Sequence, residues 1–352
     1  MGNDGYRKKH ILITGATGFI GAALAERLLK EGVCASVTGI DDLNDYYDPA
    51  LKAYRLSRLE ECARESPCGW KFIKGDIADK EFLEGVFRKA PFGIVVHLAA
   101  QAGVRYSITD PDAYVRSNLV GFCNILEACR HGLSGGLEHL VYASSSSVYG
   151  ENPGQPFRVE DRTDAPVSLY AATKKAGEVL AYSYAKLYGL PATGLRFFTV
   201  YGPAGRPDMA YFSFAEKLRR GEPIRLFNYG DCKRDFTYID DVVEGIVRVM
   251  GRRPGQGGDV SAPPYKLYNI GHGHPEGLMD FVNVLCEELI GAGVLAPGFE
   301  PKLELTPMQP GDVPVTYADI SAMERDLAYR AETDLRTGLR RFAEWYRDHL
   351  EE

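Results

Sequence analysis

No apolar run in these 352 residues approaches the roughly 18 residues that crossing a bilayer requires. The opening segment Met1 to Lys9 is short, polar and basic, with no apolar core of signal-peptide type behind it, and reads as a frayed tail. A cytoplasmic protein with no membrane partner is expected. An excess of positive charge is also missing. Lys and Arg number 41 against 48 Asp and Glu, a net charge of -7, which argues against nucleic acid or an anionic membrane as partner while leaving room for a local basic pocket. The seven cysteines (Cys34, Cys62, Cys68, Cys123, Cys129, Cys232, Cys286) are odd in number, scattered and without the paired spacing of a metal site, so reduced thiols and no metal are expected. There is no internal repeat, and only Gly255 to Pro264 is low in complexity, as suits a mobile surface loop.

What is present carries chemistry. Tyr170 and Lys174, spaced as Tyr-Ala-Ala-Thr-Lys, share one face of a helix, which sets an ammonium beside a phenol. A free phenol titrates near pH 10, about three units too high for base work at neutrality, and a neighbouring cation favours the phenolate. Tyr170 is the candidate general base and Lys174 the group expected to lower its pKa. Upstream, Gly15-Ala-Thr-Gly18-Phe-Ile-Gly21 joins the apolar run His10-Ile-Leu-Ile-Thr to a segment in which Leu24, Leu28 and Leu29 recur at helical spacing. A strand enters a turn that enters a helix, and the missing side chains let backbone amides approach a pyrophosphate at the positive end of the helix dipole. An ordinary tight loop is the competing reading of the triplet alone. A second run, Ala35-Ser-Val-Thr-Gly-Ile, ends in Asp41, near the offset of about 20 residues at which a carboxylate accepts hydrogen bonds from the adenosine ribose. Asp42 and Asp45 are acidic and no arginine follows directly to receive a 2'-phosphate, so NAD is favoured over NADP.

Strands are expected near 10–14, 35–40, 71–75, 94–98, 138–143 and 192–198, with helices between them. This alternation predicts an α/β fold, a doubly wound parallel sheet of Rossmann type. The length exceeds what one compact core usually holds, and after Gly202 the prolines and glycines break the alternation, so a second, smaller α/β lobe begins there. The expected division is 9–200 for NAD, with a returning segment at about 236–271, and 201–235 with 272–350 for substrate. His97, inside Ile94-Val-Val-His-Leu-Ala, reads as a packed core histidine. Gly75-Asp76-Ile77 ends the third strand, where a carboxylate and the next amide can reach an adenine; a turn aspartate is the equal alternative. The spacing of Phe342, Trp345, Tyr346 and Leu350 reads as helix packing.

The remaining polar residues cluster in three places. Ala143-Ser-Ser-Ser-Ser-Val-Tyr-Gly150 follows an apolar strand, so its hydroxyls fall at the carboxyl end of a sheet, where ligands bind in open α/β folds. Leu195-Arg-Phe-Phe-Thr-Val-Tyr-Gly-Pro, followed by Arg206, sets a hydroxyl and a guanidinium just beyond another strand. Arg234, in Lys233-Arg-Asp-Phe-Thr-Tyr, can clamp a diphosphate with paired N–H donors. Solvated surface arginine is the competing reading for these guanidinium groups.

Taken together, the glycine turn, Asp41, the serine run, the Tyr-Ala-Ala-Thr-Lys helix and Arg234 resemble the extended short-chain dehydrogenase/reductase family, in its nucleotide-sugar epimerase branch, over about Lys9 to Tyr346. Asp41-Asp-Leu-Asn-Asp-Tyr-Tyr-Asp-Pro, His97-Leu-Ala-Ala-Gln-Ala-Gly-Val-Arg-Tyr-Ser, Arg196-Phe-Phe-Thr-Val-Tyr-Gly-Pro and Gly205-Arg-Pro-Asp-Met are more narrowly similar to members acting on UDP-glucuronate. The resemblance implies a C4 epimerase with tightly bound NAD, a UDP-sugar substrate and a homodimer built on the Tyr170 helix and the Leu119 to Ala128 helix, though both apolar stripes are equally readable as core. It assigns Tyr170 as base, Lys174 as its partner and a ligand of the nicotinamide ribose, and Ser145 as the hydroxyl on O4, with Ser144 and Ser146 as rivals. Gly15, Gly18, Phe19, Ile20, Gly21, Asp41, Asp76, Ile77, Leu98, Ala99, Ala100 and Ser144 fall to the cofactor. Gly103, Arg105, Ser145 and Ser146 fall to the sugar nucleotide, Thr199 and Arg206 to the sugar carboxylate, and Phe227, Arg234 and Asp312 to uracil, diphosphate and uridine ribose. One departure is Ala204, where relatives carry a larger side chain; it is expected to loosen the loop carrying Arg206. The membrane anchor of plant members has no counterpart in the segment given.

Rivals within the fold separate on single residues. The 4,6-dehydratases and UDP-glucuronate decarboxylases carry a carboxylate two residues before the Tyr149 position, the dehydratases a second one beside it, where this chain has Ser146 and Ser147. A 4-epimerase of neutral UDP-sugars is the runner-up, disfavoured by Thr199 and Arg206. A catalytically silent NAD-binding scaffold is disfavoured by the intact Ser145, Tyr170 and Lys174.

Overall fold

The computed structural model describes residues 4–255, 262–308 and 313–351. Its strands, in chain order, are β1 (His10–Thr14), β2 (Ser36–Asp41), β3 (Gly69–Lys74), β4 (Ile94–His97), β5 (His139–Ser145), β6 (Ala192–Phe197), β7 (Thr199–Tyr201), β8 (Ile224–Leu226), β9 (Lys233–Tyr238), β10 (Tyr265–Ile270), β11 (Pro275–Gly277), β12 (Leu303–Leu305) and β13 (Val315–Thr316). The helices are α1 (Phe19–Glu31), α2 (Pro49–Glu65), α3 (Lys80–Lys89), α4 (Tyr106–Thr109), α5 (Pro111–Tyr114), α6 (Phe122–Gly132), α7 (Leu169–Tyr188), α8 (Ala210–Arg219), α9 (Ile239–Met250), α10 (Leu278–Gly291), α11 (Ser321–Leu327) and α12 (Leu335–Glu351).

β1 to β6 and β10 form one parallel sheet in the order β10-β6-β5-β4-β1-β2-β3. The winding direction reverses between β1 and β4, and in such sheets the crevice outside the strand ends at the reversal is where ligands lie. Period-two alternation divides the core into two layers. Ile11, Ile13, Ile94, Val96, Val141 and Leu195 face α1 and α9, and Leu12, Val95, Leu140 and Tyr142 face α3, α6 and α7. Each fully covered Leu or Ile stabilises the layer by about 1.5–3 kcal/mol relative to exposure, so a charged residue at Ile13, which is 0% exposed, would break it.

The helices start where short polar side chains cap them. Asp48 accepts from the Ala50 amide ahead of Pro49, which begins α2, and Ser168 accepts from the Ala171 amide at the start of α7. Such caps contribute about 0.5–2 kcal/mol. Gly189, at φ +68°, ends α7 in the left-handed conformation open to glycine.

A smaller sheet lies beyond β6. Its central strand, β9, pairs in parallel with β7 and β13 and antiparallel with β11. α12 buries Phe342 and Tyr346 in the core while Leu350 stays exposed. The frayed tail is corrected from Asp4 onward. Residues 4–6 form a helical turn, Tyr6 is buried, and its hydroxyl donates to Glu31 at 2.7 Å, because a ring of that size recovers more by packing than by solvation. Most of the Gly255 to Pro264 loop lies outside the described residues. Among the described residues no helix is long and apolar enough to cross a membrane, and no acidic, His and Cys cluster is arranged to hold a metal.

Candidate active site

A cleft of about 1110 Å³ opens along the strand ends and runs toward the small sheet. Single small-molecule pockets hold about 300–1,000 Å³, so this one has room for two ligands side by side. Every site residue named from the sequence lines it except Asp312, which lies outside the described residues.

At one end the glycine turn forms a cradle. Gly15 has φ +71°, and a Cβ there would meet the Ala99 amide nitrogen at 2.7 Å; a Cβ on Gly21 would meet the Gly15 carbonyl oxygen at 2.1 Å. α1 begins at Phe19 with no side-chain cap and no acidic residue in its first turn, leaving its amide donors and positive dipole end available to an anion. These features fit the diphosphate of a dinucleotide. Asp41 ends β2 and accepts from the Thr17 amide at 3.1 Å and the Leu43 amide at 3.0 Å, so the carboxylate expected for the ribose also braces the turn. Lys52 lies 3.9 Å from Asp41; burial lowers its pKa against the pull of Asp41 and Asp42. Asp76 lines the cleft and makes the turn that one of its two readings expected. One oxygen accepts from the Ala78 amide at 2.8 Å and makes the turn, and the other accepts from Arg116 at 2.7 Å at the rim of the cleft.

Deeper in, the end of β5 and the start of α7 bring Ser145, Tyr170 and Lys174 together. The expected effect of Lys174 on Tyr170 is corrected here. Burial dominates and raises the phenol pKa, while the opposing groups are the Ser145 hydrogen bond and the Arg206 charge. Lys174 donates instead to the Ala143 carbonyl at 3.0 Å, with its ammonium 6.0 Å from the Tyr170 ring centre. Burial draws the pKa of Lys174 itself down to about 8. Among the three serines, Ser145 meets Tyr170, and its hydroxyl donates to Ser147 at 3.1 Å. Ser144 points its hydroxyl at Glu178, 2.7 Å away, which removes it as a rival for O4. Ser146 lines the cleft without a described hydrogen bond to Tyr170. His97 is a core histidine: stacked on Phe122, bonded to Thr14 at 2.8 Å, and pushed down to about pKa 3 by burial and by the Lys174 charge.

Toward the small sheet, Thr199 and Arg206 line the same wall. Arg206 donates through Nε to Asp208 at 3.0 Å and through Nη2 at 2.5 Å. Burial opposes its charge, and the carboxylate outweighs burial and raises its pKa. Tyr46 donates to the same carboxylate at 3.3 Å. Gly103, at φ +101°, keeps its backbone against this group, since a Cβ would meet the Tyr46 hydroxyl at 2.7 Å. Arg105 stacks over the Phe227 ring at 4.9 Å. Arg234 is tied through Nη1 to the Lys233 and Pro314 carbonyls while lining the cleft.

Several contributors carried no local signal. Glu178 lies one turn beyond Lys174 and grips Arg196 through two bonds of 2.8 Å, both side chains 2% exposed. Asn118, in a π-helical turn (Val115–Gly121), bonds the Gln101 backbone in both directions and Thr173 on the Tyr170 helix. The loop expected to be loose at Ala204 is instead tied down, because Arg55 donates to the Ala204 and Gly205 carbonyls at 2.9 Å each.

Comparison with known proteins accords with this geometry. The model of the NAD dependent epimerase/dehydratase family matches residues 11–271. Protein CapI of Staphylococcus aureus is 45% identical over 350 residues, covering 96% of this chain and 98% of that one. UDP-glucuronate 4-epimerase 3 of Arabidopsis thaliana is 46% identical over 343 residues, 96% of this chain and 76% of that protein. Among solved structures, UDP-glucuronic acid 4-epimerase from Bacillus cereus, in complex with UDP-glucuronic acid and NAD, aligns at a TM-score of 0.82 and 32% identity over 97% of this chain and 99% of that one.

Proposed function

We propose, because the chain belongs to the NAD dependent epimerase/dehydratase family, that it inverts C4 of UDP-glucuronate to UDP-galacturonate, reversibly and through a 4-keto sugar. The observation that carries the reading is one cleft holding both the Ser145, Tyr170 and Lys174 group and, facing it, the Arg206 guanidinium. UDP-glucuronate 4-epimerases of similar sequence and structure support it. NAD in the glycine cradle supplies the hydride acceptor and donor at C4.

The chain's own groups manage the proton and the carboxylate. Tyr170 takes the proton of the C4 hydroxyl as base, the Ser145 hydrogen bond and the Arg206 charge supporting its anion against the pull of burial, and returns the proton as acid when the opposite face is reduced. Ser145 donates to the oxygen that changes charge, and Lys174, anchored on Ala143, fixes the start of α7 against β5. Between the two half-reactions the sugar turns about its diphosphate linkage, which the size of the cleft allows. A 4-keto uronate is a β-keto acid and loses carbon dioxide when its carboxylate bond stands perpendicular to the carbonyl plane. Thr199 and Arg206 hold that carboxylate in the unreactive orientation. In Arg206→Ala the share of decarboxylated pentose among the products should rise; an unchanged share would reject this role.

The lobes divide as 9–200 with 236–271 for NAD, and 201–235 with 272–350 for the sugar nucleotide, a division supported by the return of β10 to the main sheet. Working as a homodimer accords with Val179, Tyr182 and Leu187 on α7 and Val120 beside it, all exposed apolar side chains. A cytoplasmic setting accords with seven free cysteines. The function is tested by incubating purified protein with UDP-glucuronate and no added NAD and identifying the product sugar. UDP-galacturonate is expected; turnover confined to neutral UDP-sugars would reject the substrate, and no turnover with any of them would reject the activity.

A further inference from the structure

Arg55 sits on α2, remote in sequence from every catalytic motif, yet its guanidinium joins the two halves of the cleft. The residue is 3% exposed. Its Nε donates to the Ala204 carbonyl and Nη2 to the Gly205 carbonyl, both at 2.9 Å. Nη1 donates to the Thr17 carbonyl at 3.0 Å and to the Tyr47 hydroxyl at 2.6 Å, and the cation lies 5.5 Å from the Tyr47 ring centre. None of these acceptors is a carboxylate, and among the described residues Arg55 forms no ion pair. Thr17 belongs to the glycine turn, while Ala204 and Gly205 immediately precede Arg206.

We propose that Arg55 is a positioning residue that locks the Arg206 loop to the glycine turn, so that the sugar-carboxylate site is registered against the cofactor site. The proposal rests on the reading of the cleft as a UDP-glucuronate site. Three observations support it. Ala204 is held at φ +51°, a left-handed conformation that a non-glycine residue keeps only where its surroundings impose it, and Arg55 grips that residue's carbonyl. Gly205 threads so closely past Tyr211 that a Cβ would lie 1.5 Å from its hydroxyl, so the loop has one path to Arg206. The planar fork reaches two successive carbonyls of the Arg206 loop and a third in the glycine turn at once, a task a lysine point charge cannot reproduce. Misplacing a binding group by about 1 Å can cost on the order of a hundredfold in rate, so the loop's register matters to what Arg206 can hold.

The test compares full-length wild type, Arg55→Lys and Ala204→Gly. For each, KM and kcat with UDP-glucuronate, the inhibition constant of UDP, bound NAD and the thermal midpoint are measured. UDP shares the nucleotide and lacks the carboxylate. In Arg55→Lys the KM should rise about tenfold, the equivalent of about one lost charge-assisted hydrogen bond, with the UDP constant within about twofold and NAD retained. Ala204→Gly keeps every Arg55 bond and fits φ +51° without strain, so it is the control and its KM should stay within about twofold. If Arg55→Lys does not fold, Arg55→Gln, which keeps a single amide donor group, is measured in its place with the same expected split. The proposal is overturned if the KM of the Arg55 variant is unchanged, or if its KM and UDP constant rise together, as general loosening would produce. Absence of wild-type turnover on UDP-glucuronate would instead defeat the functional reading on which the proposal stands.

Discussion

Replacing Glu178 by Gln should destabilise the protein far more than its distance from the substrate suggests. Glu178 Oε1 accepts from Arg196 Nε at 2.8 Å and from Ser144 at 2.7 Å, and Oε2 accepts from Arg196 Nη2 at 2.8 Å. Without the negative charge, the buried guanidinium keeps the Tyr149 hydroxyl and the Val159 carbonyl, each at 3.0 Å, and at most the one oxygen of the amide. Breaking one side of a buried pair costs about 3–5 kcal/mol, because the remaining ion stays desolvated. The amide retains one oxygen acceptor, which points to the lower end, about 3 kcal/mol, from a total stability of about 5–15 kcal/mol. Urea unfolding followed by circular dichroism measures the loss. Glu178→Leu combined with Arg196→Met removes both ions, and the double variant should be more stable than the sum of its single variants implies by about 2 kcal/mol or more. A loss below about 1 kcal/mol in Glu178→Gln, or strict additivity in the cycle, would refute the reasoning.

Tyr170→Phe should reduce kcat by about 10²–10⁴, the range of a positioned acid–base group, while UDP still binds; turnover near the wild-type rate would remove Tyr170 from the mechanism. His97 is held at a pKa of about 3 in the folded state, against about 6.5 when unfolded. The unfolded chain therefore binds the extra proton, and stability is full above pH 6.5 and falls as pH drops from 6.5 toward 3. His97→Gln should flatten the fall in urea midpoint between pH 7 and 4.5, and parallel curves would count against a buried neutral imidazole. Asp208→Asn removes the internal carboxylate that competes for Arg206, so the KM for UDP-glucuronate should fall severalfold; a rise would recast Asp208 as scaffold for the guanidinium.

Patterns within a few residues of one another were legible before any fold was known. The strand, glycine turn and helix of 10–31, the i and i+4 pairing of Tyr170 with Lys174, and the serine run at the end of an apolar strand each announce themselves locally, and each lies in the cleft. Partners distant in sequence were not legible. Tyr46 reaches Asp208 across 162 positions and Arg55 reaches Ala204 across 149, and nothing nearby marks either pairing. The π-helical turn around Asn118 departs from the 3.6-residue period by which helices are read. The pKa of Tyr170 was misjudged for a related reason. Spacing shows which neighbour stands beside a phenol, whereas the desolvation that outweighs that neighbour comes from elements contributed by the whole chain.

β10, reached only after the chain has left the main sheet and built part of the small one, lies in register along β6 from Tyr265–Ala192 to Ile270–Phe197. It seals the flank of that strand. A fragment ending at residue 200 would present an unpaired row of amides and carbonyls on a hydrophobic ribbon, an invitation to intermolecular strand addition and precipitation. The chain up to residue 200 is therefore not an excisable module, and a minimal or circularly permuted version of the enzyme has to carry 265–270 with it to stay in solution.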